Sequence, residues 1–306
     1  MRRSDDALLR AQASLTDRDL VLLGWLYDHD LLTTDQIASA LFPSVDFAHR
    51  RLLRLTRLGV VDRFRPQRWE GGSHPYHYLL GQLGFEIVAG QRQEELPRRD
   101  QARRRRAHLT SRANLPHRLG TNQLFVDLAA YARRHTEAAL TWPAADLYRA
   151  ASGFLHSEQD SPMLMTLKGV PRPDGHGLWR EHDHTVPFLV EWDSGEEVLD
   201  VLVRKVAGYD LVAHHTRWRW PVLFVLPSLR RETNLHSRLT QWRAAGPTPV
   251  ATVGRDFLGA TGHGPAEAVW QLHGCPGSRL RLADLPHTDA DPDTFDPTRP
   301  ALQHPQ

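Results

Sequence analysis

Residues 186–192 read Val-Pro-Phe-Leu-Val-Glu-Trp, and Asp193 follows directly. A short apolar run rich in β-branched and aromatic residues reads as a buried strand. On a strand Leu189, Glu191 and Asp193 share one face, while Val190 and Trp192 share the other. Two carboxylates therefore project from the end of a strand that is otherwise core. Such carboxylates are costly unless a cation or a metal ion compensates them. The chain must bury this strand and still bring positive charge to its end.

The surrounding segments supply the rest of a mixed α/β core. Residues 138–148 and 163–170 read as strands, 193–215 as a helix, 220–227 as a strand, 233–246 as a helix and 249–255 as a strand. Asp174 sits in a Pro-Asp-Gly turn 17 residues before Glu191. On the helix after Asp193, Leu202, Lys205, Tyr209 and Val212 fall within about 40° of Val198 on a wheel of 100° per residue. A lysine in the middle of a sheet-facing stripe is unexpected. It reads either as a snorkelling or ion-paired side chain or as an ammonium aimed at the carboxylates. The chain carries 36 arginines and only two lysines, Lys168 and Lys205, so a lysine here is notable. Where guanidinium is the default cation, an amine marks a task such as proton transfer or a compact point charge. Asp174, Glu191 and Asp193 are thus candidate ligands for Mg²⁺ or Mn²⁺, the ions that hard oxygen donors suit. Lys205 is a candidate catalytic cation, and Tyr209 lines the same face.

The single cysteine, Cys275, excludes a disulfide framework and a multi-thiolate zinc site, and it fits a reducing, cytoplasmic setting. The 18 histidines form neither an HExxH motif nor a Cys/His zinc spacing. No apolar run approaches the length of a membrane span, and the charged N-terminus lacks the apolar stretch of a signal peptide. The formal net charge of +2 hides an asymmetry. Residues 1–120 hold 20 arginines against 14 acids, and residues 121–306 hold 18 basic groups against 22 acids. A basic first half predicts a nucleic-acid contact there.

The first half has the pattern of a winged helix. Helices are expected over 16–28, 34–41 and 45–58, with a break at Phe42-Pro43-Ser44 and a stop at Gly59. A hairpin follows, with a Gly-Gly turn at 71–72, and then a closing helix over 83–91. In a helix-turn-helix the last helix enters the major groove. His49, Arg50, Arg54 and Arg57 on that helix, and Arg65 and Arg68 on the wing, are the expected contacts to double-stranded DNA. Arg103, Arg104, Arg105 and Arg106, in a basic run at 98–108, can reach phosphates from a linker or exposed helix. The alternative is that the same helices and hairpin serve protein contact alone.

Two resemblances follow from these motifs. Pro173-Asp174, Glu191 and the helix-borne Lys205 resemble the PD-(D/E)XK nuclease-like fold, with one departure: Asp193 stands where that motif has its lysine. The ordered segments 32–44, 50–63, 74–80, 83–88, 115–129, 173–175, 188–197 and 204–210 resemble the replication-relaxation family of actinobacterial plasmids and mobile elements. His117 and Asn122 match that family's pattern on the helix at 116–134, and are expected either to line the site or to pack.

The resemblance implies an α+β chain, an N-terminal winged helix-turn-helix followed by a mixed α/β restriction-endonuclease-like domain. The expected divisions are a flexible N-terminus (1–14), the winged helix (15–95), a basic linker (96–114), the nuclease-like domain (115–260), a C-terminal extension (261–284) and a disordered tail (285–306). The expected function is DNA binding in plasmid replication or relaxation, with plasmid replication or transfer proteins as partners. An Mg²⁺-dependent phosphodiesterase and a non-enzymatic regulator with a decayed nuclease domain are the two readings of the second domain. A homodimer is compatible with a winged helix, although no coiled-coil heptad supports one.

Overall fold

The computed structural model describes residues 2–66, 74–110, 114–143, 171–216, 219–242 and 246–288. It divides into two units, residues 1–133 and 134–306. Among the described residues there are ten α-helices and two sheets.

In the first unit α1 (Arg2–Gln12) precedes α2 (Asp17–His29), β1 (Leu32–Thr33), α3 (Thr34–Leu41) and α4 (Val45–Arg57). Then come β2 (Val61–Phe64), β3 (His77–Leu80), α5 (Gln82–Arg92), α6 (Gln101–Thr110) and α7 (Leu115–Ala132). Local chemistry sets the starts. Thr16 donates its backbone N–H and its hydroxyl to the Asp19 carboxylate, closing the first turn of α2. Thr33 Oγ accepts from Gln36 N at 3.2 Å while Gln36 Oε1 accepts from Thr33 N at 2.9 Å, a capping box for α3. Gly59, at φ 72°, ends the turn after α4. The antiparallel sheet has order β1-β3-β2, with Val61 opposite Leu80 and Phe64 opposite His77. A Cβ on Gly84 would stand 2.2 Å from the Val60 carbonyl oxygen, so α5 can approach the α4–β2 turn only without one.

Three expected divisions change here. Residues 1–14 were expected to be flexible, but Arg2–Gln12 is a helix whose Ala11 is buried. The basic run is helix α6, and its Leu109 is buried with Leu31 and Leu79, so it is a packed part of this unit. Helix α7, expected to open the second domain, belongs to the first unit. Gln36 on α3 donates to the Leu119 carbonyl of α7 at 2.9 Å and to Gln123 at 3.1 Å. An amphipathic stripe shows that a helix is packed, not on which neighbour.

The second unit holds β4 (Ala138–Thr141), β5 (Gly175–Glu181), β6 (His184–Trp192), α8 (Leu199–Thr216), β7 (Val222–Leu226), α9 (Leu229–Trp242), β8 (Val250–Gly254), α10 (Arg255–Thr261) and β9 (Gln271–Leu272). The sheet runs β4-β5-β6-β7-β8-β9. β6, β7 and β8 are parallel and the outer strands antiparallel. Two successive crossovers advance in one direction, so right-handedness puts both α8 and α9 on one face. Leu189, Val222, Phe224, Leu226 and Val250 meet Leu202, Val206, Leu235 and Leu239 there.

Residues 261–284, expected as an extension, complete this unit. β9 pairs with β8, and a short 3₁₀ turn at Leu282–Asp284, with Leu282 buried, lies against β5 and β6. The expected strand at 163–170, with Lys168, falls outside the described residues, as do residues 289–306 of the tail. No helix among the described residues is long and apolar enough to cross a membrane.

Candidate functional site

The carboxylates gather at the C-terminal end of the parallel strand β6, the end where open α/β sheets place their ligands. Antiparallel pairing with β5 brings Asp174 alongside: its N–H donates to the Val190 carbonyl at 2.9 Å, and its Oδ2 accepts from Trp192 N at 2.8 Å. Glu191 is buried and faces α8. Lys205 Nζ donates to Glu191 Oε2 at 2.9 Å, and the Tyr209 hydroxyl donates to Oε1 at 2.5 Å. Lys205 also lies 3.4 Å from the Glu197 carboxylate.

Burial, and next the charge of Asp174, push the Glu191 carboxyl up to about 7, although Lys205 and Tyr209 act in the opposite direction. For Lys205 burial works against the ammonium, but Glu191, Glu197 and Asp174 outweigh it and hold its pKa above the ordinary value. α8 begins at Leu199, and Val198, expected on the packed face, is exposed. The buried positions include Leu202, Val203, Val206, Tyr209 and Ala213, and Lys205 stands at their edge with 26% of its side chain exposed.

Asp193 is positioned differently from its expected role. It is buried, and the Arg231 guanidinium of α9 takes both its oxygens, Nε to Oδ2 and Nη2 to Oδ1. Gly195 N donates to Oδ1 at 2.8 Å. Arg231 also reaches the Glu197 carbonyl. Asp193 is therefore the anchor of the loop that follows β6. Both Asp193 oxygens are thus engaged by Arg231, and among the described residues no three His, Cys, Asp or Glu side chains are grouped to hold a metal ion. Arg231 was not foreseen, because an arginine in the first turn of an amphipathic helix has no signature of its distant partner. Arg255 is a second unforeseen cation, stacked 4.6 Å over the Trp192 ring.

In the first unit His49, Arg50, Arg54 and Arg57 are all exposed on α4, while Ala48, Leu52 and Leu55 face inward. Arg51 points the other way and fastens α4 to α2, Nε to Asp19 Oδ1 at 2.9 Å. Arg65 is exposed, donates to the His74 carbonyl at 2.7 Å and stacks on Tyr76. Arg68 lies outside the described residues. The four arginines of α6 divide. Arg105 pairs with buried Asp30, which Arg118 of α7 also meets at 2.6 Å, and Arg106 pairs with Asp62 at 3.0 Å. Arg103 and Arg104 are more exposed and pair with Asp100, the residue just before α6.

His117 and Asn122 both belong to the first unit on α7. The buried Asn122 amide donates to the carbonyls of His29 and Leu31 at 3.3 and 2.9 Å, which holds the bend between α2 and β1. Of the residues expected to line the carboxylate site, Tyr209 is the one the structure brings to Glu191.

No curated protein and no solved structure matches the chain. Residues 23–229 match the replication-relaxation family from α2 through β7 and into the turn that opens α9. The matched span includes α4, α6, Asp174, Glu191 and Lys205, and on its extent this chain belongs to the replication-relaxation family.

Proposed function

We propose that the chain is a DNA-binding protein of plasmid or mobile-element replication or relaxation, with a nuclease-like second unit. Residues 15–95 act as a winged helix-turn-helix whose helix α4 docks on double-stranded DNA through His49, Arg50, Arg54 and Arg57. Exposure of these four on a helix whose opposite face is core supports that reading. Arg65, and Arg103 and Arg104 from α6, add phosphate contacts.

The second unit is read as a PD-(D/E)XK-like domain that cuts or nicks phosphodiesters. The observation that carries this is the 2.9 Å contact of Lys205 with Glu191, beside Asp174, at the end of a parallel strand. Mg²⁺ is held by one or two carboxylates, with water and substrate phosphate completing its sphere. Asp174 and Glu191 fit that donor set, and their mutual repulsion is of the kind a cation relieves. A bound Mg²⁺ or Mn²⁺ would supply charge neutralisation at the phosphate and a more acidic water. The Lys205 ammonium, kept protonated by its acidic neighbours, is placed to stabilise charge on the phosphate oxygens. Tyr209 orients the Glu191 carboxylate by donating to it.

One observation favours the second reading, a non-enzymatic DNA-binding regulator of replication or transcription. Asp193 occupies the usual lysine position and is consumed by Arg231, so the site is shorter by one ligand than expected. A nicking assay on supercoiled plasmid with Mg²⁺ or Mn²⁺ separates the two. The nuclease reading expects nicking by wild type and loss of it in Asp174→Ala and Lys205→Ala. Equal cleavage by all three, or none by folded wild type, removes it and leaves the regulator.

A further inference from the structure

Away from the carboxylate site, α9 and the chain just after β9 bring two imidazoles together. His236 Nδ1 and His273 Nδ1 stand 3.4 Å apart, with ring centroids 5.4 Å apart. The tautomer of His236 follows from its other side. Its Nε2 lies 2.7 Å from Thr252 Oγ. The Thr252 hydroxyl has its own acceptors, Glu232 Oε1 at 2.7 Å and, more distantly, the Gln271 carbonyl at 3.4 Å. A hydroxyl has one proton, so when Thr252 gives it to Glu232 it can only accept from His236. His236 therefore carries its proton on Nε2 and turns a bare Nδ1 lone pair toward His273. Arg279 clamps Glu232 through both oxygens, at 3.0 and 2.7 Å, which fixes the start of this chain.

The spacing has a chemical meaning. Two nitrogens bound at 2.0–2.1 Å to one tetrahedral zinc ion stand about 3.3–3.4 Å apart. The outer hydrogen bond from Nε2 through Thr252 to a carboxylate is the arrangement that orients metal-bound histidines. Both rings are half-buried, which leaves room for water to complete the sphere. We propose that His236 and His273 form a two-histidine site for a tetrahedral divalent metal ion of the zinc class. The ion would clasp α9 to the segment after β9, which is already held to β8 by the His273 N–H to Val250 carbonyl bond at 2.8 Å. Both histidines lie beyond residues 23–229, so the site is independent of the proposed DNA chemistry.

The test is a titration of the full-length, EDTA-treated protein with zinc by calorimetry, together with its Tm at each point. The expected result is a first equivalent that binds one ion per chain and raises Tm. His236→Gln and His273→Gln each weaken that equivalent by at least about tenfold, as does Thr252→Val, since outer partners alone are worth about 10–100-fold. Glu191→Gln leaves it unchanged, which separates it from the carboxylate site. The variants are first checked for wild-type circular dichroism and Tm in EDTA. Independently of any variant, the Nδ1 ¹⁵N signals of both rings shift in wild type when the first equivalent of zinc is added. Absence of a first equivalent, its retention in both histidine variants, or its loss only in Glu191→Gln overturns the proposal.

Discussion

Lys205 and Glu191 form an ion pair at 2.9 Å in which one member is almost wholly buried and the other keeps a quarter of its side chain in water. The asymmetry decides the behaviour of the pair. Water can support the ammonium when its partner is neutral, but Glu191 has no comparable support when Lys205 is lost. The Tyr209 hydroxyl is the other donor to this carboxylate. Charge on Glu191 is therefore conditional on Lys205, and pH exposes that dependence.

Stability should fall as pH rises through the window between the unfolded and folded pKa values of Glu191, 4.5 and about 7. The folded-state value is raised, so in this window the native protein holds a proton that the unfolded chain has released. Its contribution is fully present below pH 4.5 and is lost as pH passes 7. The expected loss is about 3 kcal/mol, from 1.36 kcal/mol per pKa unit. Glu191→Gln removes this component, so the wild type should lose stability relative to the variant between pH 4.5 and 8 in urea titrations. A constant difference across that range would refute the shift.

Lys205→Met should be tolerated at low pH and costly at high pH. At pH 5 Glu191 is protonated and loses little with its partner. At pH 8 the variant must either bury an unpaired carboxylate or hold a proton against the solvent. Breaking a fully buried pair costs about 3–5 kcal/mol, and the exposed part of Lys205 reduces this to about 2 kcal/mol. Equal losses of folding free energy at the two pH values would show that Glu191 does not govern the pair.

Arg231→Leu should destabilise the second unit by about 3 kcal/mol, because Asp193 stays buried without its guanidinium. The double variant Asp193→Asn/Arg231→Leu should recover much of that loss, since neither charge remains. Chemical denaturation of the four proteins forms a double-mutant cycle. Additive losses would mean that the Arg231–Asp193 contact is not the anchor of the loop after β6.

What was legible in the sequence and what was not divide along one physical line. Glu191 at a strand end and Lys205 on the facing helix follow from short-range periodicity, and Thr16, Thr33 and Gly59 mark their helix ends by local hydrogen-bonding chemistry. Many of the helix and strand segments of both units were readable for the same reason, but α1 and β9 were not. Pairings made by long side chains across 38 or 44 residues were not: Arg231 with Asp193, and Arg106 with Asp62. Nothing in an arginine's local context tells whether a distant acid will meet it. The run at 103–106 looked like a uniform phosphate-binding patch, but folding commits Arg105 and Arg106 to Asp30 and Asp62. The membership of α7 was hidden similarly, because its contacts with Gln36 and with the bend at His29–Leu31 are long-range.

The division among arginines yields the test of the proposed DNA surface. Each cation that neutralises a phosphate contributes about 0.9 to the slope of log K against log salt. Arg50, Arg54 and Arg57 are exposed on α4, and Arg51 between them is held by Asp19. Replacing the three exposed residues by alanine should lower the slope for duplex DNA by about 2–3 and weaken binding at low salt by at least about tenfold. Arg106→Ala should leave the slope within about 0.5 of wild type, because that guanidinium is spent on Asp62. Fluorescence anisotropy with a labelled duplex at several salt concentrations measures both. An unchanged slope in the triple variant would remove α4 from the DNA surface. A slope that falls by about 0.9 in Arg106→Ala would mean that this guanidinium, and with it α6, also contacts a phosphate.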